Sequence, residues 1–414
     1  GRGTQFVQNV RVNYFQEICE TYKLLNYFLR IFSLNCTLTT GGVPFLHAIR
    51  MAILLVIIGS YNLFTLIYKS LYVVNVEIHI ARSIQYMDAV QSVYDLFQYS
   101  VDIWYVYKYG ADICREYIIR YCYMDGLLGM KYYSDIKSSL AKFLGFIVTL
   151  WFITSLYDYL VWAFSFGPII PILYSGAYIH MLIKSLTSIF LSLNIMHIES
   201  RLRTVGDQVQ TLYSNAENLL PMTQEVLSST WFCPYSKKSV NTVMEFVNAK
   251  KNVKLFRCYY LLLSEQLKFI NRMFGMRILL NTLSLLIDMV HSINLAVKVI
   301  IGSQIVGNDN YSFCPAIGSL VRLLMCAVLL ISIVWRSEKA YEQRSRLMCL
   351  IDNLLVNKKI DESIVEDIKD FHSLIQARPI SFSMADFVRI DNSFLVSIVS
   401  AVVTYSIILS QSVN

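Results

Sequence analysis

The stretch "SAVVTYSIILSQSVN", residues 400–414, combines a transmembrane composition with a polar edge. Val, Ile and Leu dominate it, as in a helix that crosses the lipid bilayer. Residues three, four and seven positions apart share a helix face, so Thr404, Ile408 and Gln411 form one stripe, while Val402 and Leu409 point elsewhere. The pattern predicts a membrane helix with one polar side.

The composition of the whole chain also indicates a membrane protein. Of 414 residues, 55% are hydrophobic and only 16% charged, and the mean hydropathy is +0.48. Soluble domains average about 45–50% apolar residues. The apolar runs have helical periodicity and lack repeated hairpin signals, which disfavours a β-barrel. We therefore expect an all-α integral membrane protein.

Seven spans of about 20 apolar residues can be identified, which predicts a seven-transmembrane helical bundle. They cover residues 47–74, 86–107, 141–165, 168–197, 276–300, 313–335 and 394–411. The chain is accordingly divided into a cytoplasmic N-terminal helical segment, helices 1–4, a cytoplasmic helical extension, helices 5–6, a cytoplasmic helical anchor region and helix 7. These segments are 1–46, 47–200, 201–275, 276–335, 336–393 and 394–414.

The distribution of basic residues predicts the orientation, since cytoplasmic loops carry the excess of Lys and Arg. Segments 1–46, 108–142, 201–277 and 336–392 hold 30 of the 36 Lys and Arg residues. This places the N-terminus in the cytoplasm and the C-terminus outside, in a multi-pass protein of the plasma membrane. The net charge of +7 then reflects topology, and no nucleic-acid partner is expected.

The second span, within "QYMDAVQSVYDLFQYSVDIW" (residues 85–104), carries acidic residues that a lipid-facing helix does not tolerate. Asp88, Asp95 and Asp102 are seven residues apart, with amides and aromatic rings between them. Polar and aromatic residues on the third and fifth spans are positioned to meet this stripe. The candidate ligand-binding residues are Asp88, Gln91, Tyr94, Asp95, Gln98, Asp158, Trp162, Asp288, His291 and Asn294.

Such residues suit two classes of ligand. Carboxylates and amides hydrogen-bond to the hydroxyl groups of a sugar or polyol, whose apolar ring face packs on an aromatic ring. The same carboxylates and rings also suit an alkaloid amine. A purely structural alternative is that Asp88 and Asp95 pair with Arg322 or Lys184 to hold the bundle together, and Asp102 is expected to be structural.

Signatures of catalysis are missing from the sequence. GxSxG, HExxH and GxxxxGK[ST] do not occur, and the six histidines lack metal-ligand spacing. We expect no enzymatic activity, no cofactor and no metal.

The segment "TYSIILSQ" resembles the TYxxxxxQ motif near the C-terminus of insect gustatory receptors, which is usually written TYxxxxxQF. The preceding "FSMADFVRIDNSFLVSIVSAVV" is similar to the family's approach to its last helix, through Ala385, Phe387, Ile390 and Asp391. The resemblance implies a ligand-gated cation channel, formed as a homotetramer whose last helix lines a central pore. Ser412 stands where the family usually has Phe, which argues against a gate built from an aromatic ring at that position.

The implied pore residues are Thr404, Tyr405, Ile408 and Gln411. Independently of the resemblance, a ring of Ile408 side chains closes a pore by excluding water, and a ring of Gln411 amides hydrates a passing cation. Alternatively, Thr404 and Gln411 only hydrogen-bond to neighbouring helices.

The sequence fits three other classes of membrane protein less well. A G-protein-coupled receptor requires a cytoplasmic C-terminus, which the Lys and Arg distribution opposes. A secondary transporter is disfavoured because no internal repeat is evident. Insect odorant receptors share the layout but resemble the TY…Q ending less well.

Overall fold

The computed structural model describes residues 17, 19–35, 45–75, 82–128, 132–229, 237–301, 313–356 and 362–411. These residues are almost entirely helical. The first helix, α1, includes residues 19–31. It is followed by α2 (Phe45–Asn75), α3 (Arg82–Leu128), α4 (Tyr133–Phe166), α5 (Ile169–Ser229), α6 (Lys237–Ile300), α7 (Cys314–Val356), α8 (Glu362–Ala377), β1 (Ser383–Met384), β2 (Val388–Arg389) and α9 (Asn392–Gln411).

Most of these helices are apolar and long enough to cross a bilayer. In the described residues, α2, α4, α5, α6 and α7 each contain a segment that is long and apolar enough to cross a membrane. The shorter α9 is also apolar over Asn392–Ile408. The predicted second span lies in α3, which is not one of these five helices because it contains too many charged residues. The predicted seven-span, all-helical fold thus maps onto α2–α7 and α9.

The bundle is built around α5. Residues 180–198 of this helix are buried on every side, as expected for a helix in the centre of a large bundle. Leu186, Ile189 and Leu193 belong to the main hydrophobic core, together with Leu285 of α6 and Leu329 of α7. By contrast, α2 and α4 expose apolar side chains such as Ile57 and Phe152, which suits the periphery of a membrane protein.

Several helices continue far beyond the predicted membrane boundaries. α5, α6 and α7 contain 61, 64 and 43 residues. At about 1.5 Å per residue, each is longer than the roughly 30 Å hydrocarbon core. The amphipathic helix α8 buries Ile368, Phe371 and Ile375 beside these extensions, and the Tyr260 and Phe371 rings meet edge to face, 6.2 Å apart.

A short hairpin connects α8 to α9. Its strands pair Ser383 with Arg389 and Met384 with Val388. Ala385 and Asp386 in the turn have φ of 50° and 61°, a left-handed conformation that costs a non-glycine residue about 1–2 kcal/mol. The hairpin packs so closely on α6 that a Cβ atom at Gly275 would lie 2.7 Å from the Ala385 nitrogen. Gly275 is therefore required for this approach.

Candidate ligand-binding cavity and pore helix

A polar cavity lies between helices α2–α7. The space between the helices, counted together with the solvent at its opening, is about 650 Å³. Every helix from α2 to α7 contributes to its wall. The lining consists of Asn62, Lys69, Asp88, Gln91, Ser92, Asp95, Asp158, Trp162, Tyr174, Ala177, Tyr178, His180, His291, Ser292, Leu295, Ser319 and Arg322.

One side of the cavity is organised around Asp88. The Tyr174 hydroxyl donates to its Oδ2 at 2.9 Å, and Lys69 Nζ lies 3.9 Å from the same oxygen. His291 Nε2 is 3.3 Å from Oδ1. The Lys69 ammonium also sits 3.4 Å from the centre of the Tyr174 ring, which stacks on Trp162 at 5.6 Å. Carboxylate, ammonium and aromatic surfaces are thus held together by direct contacts.

A second ion pair joins α4 to α7. The Arg322 guanidinium donates to the Asp158 carboxylate and lies 5.5 Å from the Tyr178 ring centre. A Cβ atom at Gly318, about one turn earlier in α7, would overlap Asp158. The absence of a side chain at Gly318 therefore permits this pair.

A buried cluster of three charges reaches the floor of the cavity through Asp95, which lines it. Lys184 Nζ lies 2.8 Å from Asp95 Oδ1 and 2.6 Å from Asp288 Oδ2, and all three side chains are at most 3% exposed. Gln91 donates to Asp288, and the Ser284 hydroxyl donates to Asp95 at 2.7 Å. An ammonium between two carboxylates satisfies charges that would be costly if left alone in a membrane interior.

Beneath this floor, two further polar contacts connect α3 to α6. Gln98 donates to Asn281 at 3.0 Å, and Arg277 donates to Asp102 at 2.6 Å. Asn281 also donates to Ser188 of α5 at 2.8 Å. The acidic stripe of α3 therefore faces protein along its whole length.

Six of the ten predicted ligand-binding residues line the cavity. Asp88, Gln91, Asp95, Asp158, Trp162 and His291 line it. Asp288 lines a smaller adjoining cavity of about 320 Å³, together with Gln91 and Arg322. The other three predicted residues lie outside both linings.

Each of those three is buried or half-buried in the bundle. The Tyr94 hydroxyl donates to the Leu280 carbonyl at 3.2 Å, and Gln98 contacts Asn281 as described above. Asn294 is only 1% exposed. Their role as ligand contacts stays a prediction, as does that of the lining residues.

The structural alternative for the acidic residues is visible in part of the cluster. Asp95 pairs with Lys184, one of the two cations anticipated for it. Asp88 contacts Lys69 and His291 instead, while Arg322 pairs with Asp158. Each carboxylate oxygen can accept more than one hydrogen bond, so pairing and ligand binding are compatible.

Sequence reasoning did not select Lys69, Tyr174, Tyr178, His180 or Arg322 as site residues. Two of them carried a usable signal, because Lys69 and Arg322 are cations within apolar spans and such residues need partners. Tyr174 and Tyr178 are four residues apart and share a helix face, but aromatic pairs at this spacing are common in ordinary cores.

The predicted pore residues all lie on α9. Ile398 and Val402 are buried against the rest of the chain. Thr404, Ile408 and Gln411 are exposed and occupy the side away from that contact.

Two other predicted features concern the end of this helix. Tyr405 is also exposed. Ser412, which departs from the family motif, lies outside the described residues. The assignment of these positions to a pore stays a prediction.

Comparison with known proteins identifies the family. A comparison with curated proteins gave no match. Two solved structures of the insect olfactory receptor OR5 from Machilis hrabei are similar in fold, with TM-scores of 0.62 and, for the complex with eugenol, 0.59. Sequence identity is 13% and 12%, and each alignment covers 97% of this chain and 100% of the receptor chain. The family described as 7tm Chemosensory receptor matches residues 22–413, so this multi-pass membrane protein belongs to the seven-transmembrane chemosensory receptor family.

Proposed function

We propose that the chain is a subunit of a taste receptor channel of the plasma membrane, which conducts cations when a sugar or polyol binds in the cavity. The observation that carries this proposal is the cavity lining. It combines fixed carboxylate, amide and imidazole groups with the Trp162–Tyr174 pair. Oriented polar groups beside an aromatic wall are what a ring bearing several hydroxyl groups requires.

The surface of α9 supports a pore between several copies of the chain. Helical spacing divides its exposed residues into two faces. Val399 and Val403 belong to an apolar face that suits contact with a neighbouring subunit, whereas Thr404, Ile408 and Gln411 form the polar stripe. In a homotetramer, four such stripes enclose a central axis, with the N-terminus of each subunit in the cytoplasm.

A second class of ligand is favoured by one contact. Lys69 places an ammonium 3.4 Å from the centre of the Tyr174 ring, so this ring already accepts a cation. Among the described residues, the lysine and arginine partners of Asp88, Asp95, Asp158 and Asp288 are Lys69, Lys184 and Arg322, three cations for four carboxylates. An alkaloid amine would balance that charge. The related receptor solved with eugenol shows that this fold holds a small organic molecule in one other protein.

The test is current across a planar bilayer that contains only the purified protein. Sucrose and myo-inositol represent the favoured ligand class and quinine represents the amine. We expect a cation current that rises with sucrose or myo-inositol. A current that rises with quinine alone selects the amine, and a silent bilayer with correctly folded protein refutes the channel function.

Variants then locate the binding site. Trp162→Ala should raise the concentration of agonist for half-maximal current by about tenfold or more, equivalent to about 1.4 kcal/mol of binding. Trp335→Ala is a matched control, because Trp335 is exposed at the predicted inner end of the α7 span. Equal responses of both variants and the wild type would show that the ligand binds elsewhere.

A further inference from the structure

One hydroxyl group of α7 bonds to both ends of the hairpin that precedes the predicted pore helix. The backbone nitrogen of Phe382 donates to the Tyr341 hydroxyl at 3.0 Å, and that hydroxyl donates to the Ile390 carbonyl at 3.0 Å. Phe382 and Ile390 lie just before and just after the two strands, and the Ile390 nitrogen donates to the Phe382 carbonyl at 2.9 Å. Tyr341 therefore closes the base of the hairpin.

The aromatic ring of Tyr341 is fixed as well. The Arg389 guanidinium lies 4.4 Å from its centre, and the Phe382 ring packs 6.0 Å away. The residue is only 7% exposed. A buried hydroxyl that both accepts and donates leaves two unpaired backbone groups when it is removed.

α7 also holds the first residue of the pore helix. Glu338, one turn before Tyr341 and on the same helix face, accepts a hydrogen bond from the Asn392 nitrogen at 3.0 Å. Asn392 begins α9. Two consecutive turns of α7 thus hydrogen-bond to the hairpin and to the helix that follows it.

The same helix reaches the cavity. Arg322 lines the cavity 19 residues before Tyr341, a distance of about 28 Å along a continuous helix at about 1.5 Å per residue. A shift of α7 along its axis at the cavity would therefore reach the start of α9 through Glu338 and Tyr341. The left-handed φ angles of Ala385 and Asp386 show that the hairpin is kept in an unfavourable conformation by its surroundings.

We propose that the Tyr341 hydroxyl is a positioning group that couples α7 to the gate, by fixing the hairpin from which α9 starts. This inference rests on the proposed channel function. It predicts that removing the hydroxyl changes the closed-to-open equilibrium, because the two hydrogen bonds need not contribute equally to the closed and open arrangements.

The test compares Tyr341→Phe with Tyr260→Phe. Tyr260 is a matched control, since its buried hydroxyl donates to the Arg378 carbonyl at 2.8 Å, at the end of α8, without touching the hairpin. Two quantities are measured on purified protein. One is amide hydrogen exchange of residues 382–392, and the other is the open probability in planar bilayers without agonist, in symmetrical sodium chloride.

For Tyr341→Phe we expect faster amide exchange in residues 382–392. We also expect the unliganded open probability to change by about fivefold or more, which is the effect of one hydrogen bond that stabilises only one of the two states. Tyr260→Phe should leave both within about twofold of wild type. Unchanged exchange would show that the hydroxyl does not hold the hairpin. Faster exchange with an unchanged open probability would show that it holds the hairpin but does not affect the gate. Either result overturns the proposal, whereas a silent wild-type channel refutes the proposed function itself.

Discussion

Replacement of Lys184 by Met gives a direct test of the buried charge cluster. The ammonium lies 2.6 Å and 2.8 Å from the Asp288 and Asp95 carboxylates, and its side chain is 2% exposed. Met has a similar length but no charge, so the two carboxylates would remain buried without a cation. Breaking a buried ion pair by removing one partner costs about 3–5 kcal/mol.

This cost can be converted into a shift of melting temperature. The unfolding entropy of about 2 cal/mol/K per residue gives roughly 0.9 kcal/mol/K for 414 residues. Lys184→Met should therefore lower the apparent Tm by about 3–6 °C. The assay is thermal unfolding of detergent-solubilised protein, followed by a thiol-reactive dye that reports exposure of the buried Cys122 and Cys326.

Two comparisons make the result specific. Lys142→Met removes an exposed lysine of α4 and should leave the Tm within about 1 °C, as surface substitutions usually do. The triple variant Lys184→Met, Asp95→Asn, Asp288→Asn has no buried charge left in the cluster and should recover much of the loss. If Lys184→Met melts like the wild type, or the triple variant melts lower than the single one, the cluster does not stabilise the bundle as argued.

Three further predictions concern topology, the pore and cysteine reactivity. A tag after Asn414 should be labelled on intact cells and a tag before Gly1 only after permeabilisation, and the reverse pattern would contradict the orientation inferred from Lys and Arg. Gln411→Glu should place four carboxylates around the axis of a homotetramer and shift the reversal potential toward calcium permeability; an unchanged potential in conducting channels would remove Gln411 from the pore. Cys122 lies outside the predicted spans, and burial, followed by the neighbouring Asp125 carboxylate, raises the pKa of its thiol to about 12. At pH 8 a maleimide should therefore label the exposed Cys258 and Cys349 in the folded protein but not Cys122.

The helical architecture was predictable because it depends on local composition. A run of about 20 apolar residues is visible in any window of that length, and α2, α4 and α7 follow directly from such runs. The acidic span in α3 was predictable for a different reason. Its carboxylates exclude lipid contact, and the structure buries Asp95 and Asp102 in the protein.

The outline of the cavity was less predictable. A stripe such as Asp88, Gln91, Asp95 and Gln98 defines one face of a helix. It does not define the depth in the bundle at which the neighbouring helices move apart and leave a cavity. That depth depends on how α5 packs, and residues 180–198 are buried on all sides and give no periodic signal. Gln98 therefore contacts Asn281 below the cavity, whereas Asp88 lines it.

Apart from the Asp95–Lys184 pair, which was one of the alternatives drawn from the sequence, the partners of the charged residues were also beyond sequence reasoning. Periodicity places Lys184, Arg322 and the aspartates on their helices, but pairing depends on rotation and on close approach. Arg322 meets Asp158 where Gly318 leaves space for the carboxylate. No local pattern in the sequence connects these three positions.

The walls of the cavity should differ in what they contribute to gating. A ligand opens a channel only through contacts that are stronger in the open state. α6 and α7 carry the cavity residues His291 and Arg322, and both helices also contact the hairpin region before α9. In α6, Asn271 donates to the Ser381 carbonyl at 2.9 Å. In α7, the contact is made by Tyr341. Contacts made by these two helices are thus in a position to change with the gate.

α4 contributes Trp162 to the cavity and packs on α5 and α7. Its contacts with a ligand should be nearly equal in the closed and open states, and equal contacts add affinity without shifting the equilibrium. Trp162→Ala should therefore raise the agonist concentration for half-maximal current while the maximal open probability stays close to wild type. His291→Ala should lower the maximal open probability at saturating agonist. Single-channel recording at saturation separates the two effects, and an equal loss of maximal open probability in both variants would show that α4 moves with the gate.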